Sequence, residues 1–132
     1  MKTKENLSFK ALEDALLTLK EALSSPPKSL LERDGVIQRF EYSFEMTWKA
    51  IRNYLITMGR AEVSGSPKPL LRDALEEGLI DNIELWFGFL EARNASSHSY
   101  NKLTADQVFE RAKEFMPKAE ALLKKMRKKI AP

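Results

Sequence analysis

The chain has 132 residues, 43% of them hydrophobic and 31% charged, with a net charge of +3. A chain of this length buries on the order of two-thirds of its unfolded surface, and the composition is that of a folded protein and not of a disordered one. No cysteine and a single histidine exclude disulfides, thiolate chemistry and any multi-histidine metal site within one chain.

Met1-Lys2-Thr3-Lys4-Glu5 leads into an amphipathic pattern and lacks the apolar core of a signal peptide. With the lack of cysteine, this fits a cytoplasmic protein. No apolar run approaches the roughly 20 residues that span a bilayer, so no membrane segment is expected. Neither a GxGxxG nor a GxxxxGK[ST] loop occurs, and no cofactor or metal is expected.

Phe9, Leu12, Leu16, Leu19 and Leu23 recur at helical spacing and predict a first amphipathic helix, stopped at Ser24-Ser25-Pro26-Pro27. A longer helix is predicted from Leu30 to Met58. Its stripe is Ile37, Phe40, Phe44, Trp48 or Thr47, Ile51, Leu55 and Met58, and Gly59 is its cap. Arg60 to Pro69, punctuated by Ser64-Gly65-Ser66-Pro67-Lys68-Pro69, reads as a loop. A short helix over Leu70 to Glu77 is stopped by Gly78, with Leu79 and Ile80 folding back.

Asp81 or Asn82 caps a fourth helix. The last helix is predicted to start at a capping box, Thr104 with Gln107. It carries the stripe Val108, Ala112, Phe115, Ala119, Leu122 and Met126, with a kink expected at Pro117. No segment alternates like a strand. The expected fold is all-α: an up-and-down four-helix bundle with an extra short helix, one domain over 1–132.

The fourth helix carries the chemistry. With Arg93 placed at zero on a helical wheel, Trp86, Leu90, Ile83 and Phe89 fall at about 20°, 60°, 80° and −40°. On a helix continued past Arg93, Tyr100, Ser97, Asn101, Asn94 and His98 fall at about −20°, 40°, 80°, 100° and 140°. An apolar face thus becomes polar, and buried polar groups need partners. Gly88, Ala92, Ala95 and Ser99 form a small-residue stripe that would let another backbone approach. On the second helix, Arg39, Glu41, Glu45, Lys49 and Arg52 form either a solvated face or a source of carboxylates, Glu45 or Glu41, that pair with Arg93 and orient it. The basic run Lys124 to Lys129 suits a helix C-terminus or an RNA-binding patch.

Arg93-Asn94-Ala95-Ser96-Ser97-His98-Ser99-Tyr100 resembles the R-x4-H-x-Y motif of the HEPN superfamily. The segment Asp34 to Lys49 resembles the second helix of its nucleotidyltransferase substrate-binding branch. Ser66-Pro67-Lys68-Pro69 with the short helix that follows is similar as well, so the resemblance covers most of the chain in order.

The resemblance implies a helical bundle that forms a homodimer and pairs with a separate minimal nucleotidyltransferase, as toxin and antitoxin. It also implies a metal-independent RNase in which Arg93 and His98 are catalytic. An imidazole can move the 2′-hydroxyl proton and a guanidinium can hold the phosphate. Asn94, Ser97 and Glu45 are supporting candidates, Asn94 by orienting the His98 ring. Tyr100 is the residue that the resemblance marks for adenylylation by the partner. One histidine cannot easily serve as both acid and base, which favours a cleft shared by two chains. The alternative is a non-catalytic subunit that binds substrate or nucleotide for the nucleotidyltransferase.

Overall fold

The computed structural model describes residues 8–130, so the Met1 to Glu5 segment lies outside the described residues. Five helices form: α1 (Lys10–Ala22), α2 (Leu30–Thr57), α3 (Pro67–Glu76), α4 (Ile83–Ala95) and α5 (Lys102–Ile130), with one 3-10 turn at Ser96–His98 between the last two. There is no strand among the described residues. The long helices alternate up and down. Glu13 pairs with Arg127 and Lys20 with Glu120, so α1 and α5 run antiparallel. Arg33 at the start of α2 meets Asp106 at the start of α5. Lys125 near the end of α5 donates to the Gly78 carbonyl just before α4. Hence α4 opposes both α2 and α5, and α3 is the extra short helix.

The helix ends follow from local chemistry. Ser29 caps α2 by accepting from the Glu32 amide at 3.1 Å, while Glu32 accepts from the Lys28 amide. Gly59 and Gly78 end α2 and α3 at φ +87° and +74°, where a side chain would be strained. Leu79 and Ile80 fold back and are buried. Asn82 caps α4 through the Leu85 amide at 3.1 Å.

Three expectations need correction, and one open alternative is decided. α3 begins at Pro67 and not at Leu70, because proline fits the first helical position, where an amide would have no acceptor. Thr47 is buried and Trp48 only half-buried, so Thr47 holds the core position of α2. Met58 is exposed. The capping box at Thr104 and Gln107 does not form: Asn101 caps α5, its side-chain oxygen accepting from the Thr104 amide at 3.1 Å. Pro117 lies within α5, where the sequence places it.

Phe115 is the hub of the core. Its ring lies 5.3 Å from Phe40, 5.4 Å from Phe89, 6.0 Å from Trp86 and 6.1 Å from Phe44. Three of these pairs are edge-to-face, the arrangement the ring quadrupoles favour. The predicted stripe of α5 is buried throughout. This core fixes α4 against α2 and α5, and so sets where Arg93 emerges.

Candidate functional site

Arg93 lies on the last full turns of α4 and reaches across to α2. Its Nε is 3.3 Å from Glu45 Oε1 and its Nη1 is 3.6 Å from Glu41 Oε2. Both expected carboxylates are therefore present, and the solvated-face reading fails for Glu41 and Glu45. Nε is buried and makes no directed hydrogen bond, so the contact to Glu45 is one of charge and not of aligned donor and acceptor. Trp48 Nε1 donates to Glu45 Oε2 at 3.2 Å, which fixes the carboxylate from behind. Sequence reasoning missed this contact. The signal was the three-residue step from Glu45 to Trp48, one helical turn. A guanidinium carries five donors, and these contacts engage at most two. The rest make no ion pair among the described residues.

α4 does not continue to Tyr100. Ser96 and Ser97 donate their hydroxyls to the carbonyls of Arg93 and Asn94, at 2.6 and 3.2 Å. Such local bonds compete with the helical ladder. The chain tightens into the 3-10 turn, with Ser99 N bonded to Ser96 O at 3.2 Å. The wheel positions beyond Ala95 are therefore wrong. Tyr100 is 85% exposed and does not stand beside Arg93 on a continuing helix. Its hydroxyl lies 3.3 Å from His98 Nδ1, and the two rings meet edge to face at 5.9 Å.

The site thus has two sets among the described residues: Arg93 with Glu41, Glu45 and Trp48, and His98 with Tyr100. Asn94, Ser97 and His98 are exposed. Asn94 does not bond the His98 ring; its carbonyl serves Ser97, and the Nδ1 of His98 faces Tyr100 instead. Ser96 is the buried serine of the motif.

The small-residue stripe faces α5 but meets a side chain where a backbone was expected. A Cβ on Gly88 would come within 2.8 Å of Arg111 Nη2. Gly88, Ala92 and Ala95 line a groove of about 570 Å³ with Thr104, Val108 and Arg111 of α5. At the same end of the bundle, Asp106 accepts from Lys102 at 2.8 Å and lies 3.4 Å from Arg33. The Lys102 hydrogen bond, with the charges of Lys102 and Arg33, holds its carboxyl below the usual range. No group of three or more potential metal ligands occurs among the described residues.

The helical order is that of a known class. The nucleotidyltransferase substrate binding protein-like family matches residues 7–128. The chain belongs to that family, the nucleotidyltransferase substrate-binding branch of the HEPN superfamily. It is 30% identical over 99 residues to a Haemophilus influenzae protein described as "Probable ribonuclease HepT", covering 72% of this chain and 67% of that one. A Thermus thermophilus protein of known crystal structure is 38% identical with a TM-score of 0.82, over 88% of this chain and 98% of that one. A Haemophilus influenzae structure, described as revealing the fold of a substrate binding domain of a nucleotidyltransferase, shares the fold at a TM-score of 0.76 and 24% identity. That match covers 91% of this chain and 99% of the other.

Proposed function

We propose that this chain is the HEPN-type component of a two-protein system with a minimal nucleotidyltransferase, and that it is a metal-independent endoribonuclease toxin. The observation that carries this reading is Arg93, held by two carboxylates with donors to spare, on the same short segment as the exposed His98. The relative described as a probable ribonuclease supports it.

In this reading His98 takes the 2′-hydroxyl proton of RNA, and the freed oxygen attacks the adjacent phosphorus. Arg93 holds the phosphate and offsets the charge that builds on it. The leaving 5′-oxygen needs a proton from a second acid. One chain has a single histidine, so two chains share the cleft and His98 of each takes one role.

Tyr100 is the regulatory residue. Its exposed hydroxyl attacks the α-phosphorus of ATP on the nucleotidyltransferase, and pyrophosphate leaves. The adenylyl group then stands at the Nδ1 edge of His98, blocking RNA by bulk and charge.

The second reading, a subunit that presents substrate or nucleotide without cleaving RNA, is favoured by the Arg93 ion pairs, which already satisfy part of the guanidinium. Expression of the chain alone beside His98→Ala separates the two. Growth arrest with RNA breakdown in the parent only supports the RNase; equal behaviour supports the binding subunit.

A further inference from the structure

The four cations Lys49, Arg52, Lys68 and Arg72 lie along α2 and α3. None has a carboxylate within ion-pair distance among the described residues. The opposite face of the bundle differs: Lys10, Lys20 and Arg127 are paired with Asp14, Glu120 and Glu13.

Two of the four are held against one aromatic ring. Lys68 Nζ lies 5.0 Å and Arg72 Cζ 5.3 Å from the Phe87 centroid. A cation over an aromatic ring is attracted by the negative face of the ring. Two like charges gathered at one ring also repel, and no carboxylate among the described residues forms an ion pair with either. Lys68 is further fixed between Pro67 and Pro69 at the first turn of α3, where proline restricts the backbone. The other two cations continue the Arg93 site. Lys49 Nζ stands 6.0 Å from the Trp48 ring, and Trp48 is bonded to Glu45, the partner of Arg93. Arg52 follows three residues later. Its Nε is buried without an acceptor, so packing and not a carboxylate holds the side chain there.

These residues lie in one direction from Arg93. Phe87 precedes Arg93 by six residues, about 9 Å of helix axis. Arg52 follows Glu45 by seven, two turns along the same side of α2. Because α2 and α4 are antiparallel, both steps lead away from His98. The result is a set of cations on α2 and α3 without an ion-pair partner among the described residues, with the half-buried aromatic rings Trp48 and Phe87 between them, on the side of Arg93 away from His98.

We infer that Lys49, Arg52, Lys68 and Arg72, with Trp48 and Phe87, form a single-stranded RNA contact track that seats the strand flanking the cleaved phosphate. Cations bind successive phosphates, and aromatic faces accept bases without sequence preference. This rests on the RNase reading for its substrate but not for its binding chemistry.

The test is fluorescence anisotropy with a labelled single-stranded RNA oligonucleotide, carried out in the His98→Ala background so that cleavage does not intervene. Lys68→Ala with Arg72→Ala should weaken binding about tenfold, and the slope of log affinity against log salt should fall by about 1.4, at roughly 0.7 per lost contact. Lys68→Glu with Arg72→Glu should weaken it further. Lys10→Ala with Lys20→Ala removes the same charge from the opposite face and should change little. All six substitutions are at exposed positions, and thermal melts confirm that each variant folds. Parent-like binding by the Lys68/Arg72 variants, or equal loss in the α1 variant, overturns the track. So does retained RNA binding with selective loss of an acidic polyglutamate probe. If the track variants lose RNA while His98→Ala cleaves as the parent does, the track stands and the catalytic assignment falls.

Discussion

Arg93 and Glu45 meet across the α4–α2 boundary with Nε 3.3 Å from Oε1, and Trp48 holds the same carboxylate from its other oxygen. The pair is partly exposed, 29% for the arginine side chain and 30% for the glutamate, so solvent screens it. A double-mutant cycle with Arg93→Ala and Glu45→Ala should give a coupling of about 0.5–1 kcal/mol in stability. Its larger effect is on orientation. Glu45→Gln should leave the melting temperature within a few degrees and still lower RNase activity, because the guanidinium loses one of the two charges that aim it. Unchanged activity in Glu45→Gln would assign Glu45 to structure alone.

The junction after α4 makes its own prediction. Asn101→Ala removes the cap of α5 and should cost about 1 kcal/mol, whereas Thr104→Ala should cost little. Chemical denaturation of the two variants checks this; the reverse order would restore the capping box at Thr104.

That junction also marks where the sequence stops being legible. The apolar stripes of α1 and α5, the Gly59 and Gly78 stops and a cap at Asp81 or Asn82 follow from periodicity and backbone sterics, which act locally. Ser29 with Glu32 was equally readable as a cap signal and was overlooked. Arg93 and its two carboxylate candidates were legible from the charge pattern. The position of Tyr100 was not, because the wheel assumes that the helix continues. Two serines in succession divert the backbone at Ser96, and their hydroxyls choose between solvent and the preceding turn only in the folded context. Arg111 over Gly88 was invisible for another reason: a side chain from α5 fills the small-residue stripe, and no local pattern announces which helix lies opposite.

Asp106 predicts an acid limb of stability. Its folded carboxyl ionises below its unfolded value of about 3.9. The contribution is present above that value and is lost as pH falls through the lower folded one. Asp106→Asn should therefore be less stable than the parent at pH 7, and the gap should close below about pH 4. Melting curves across that range measure it; a gap that stays constant would contradict the assigned ion pair.

Tyr100 predicts a covalent readout. Incubation with the nucleotidyltransferase partner, ATP and magnesium should add adenylyl mass to the intact chain, and Tyr100→Phe should block the addition. Because Tyr100 is so exposed, the substitution should leave the melting temperature unchanged. Equal mass gain in both chains would place the modification elsewhere.

The most direct measurement is RNA cleavage by the purified chain in the presence of EDTA, beside Arg93→Ala and His98→Ala. The account predicts that the parent cuts single-stranded RNA without metal and leaves 2′,3′-cyclic phosphate ends, and that both variants fold but fail to cut. Cleavage by His98→Ala at the parent rate, or cleavage that EDTA abolishes, would contradict it.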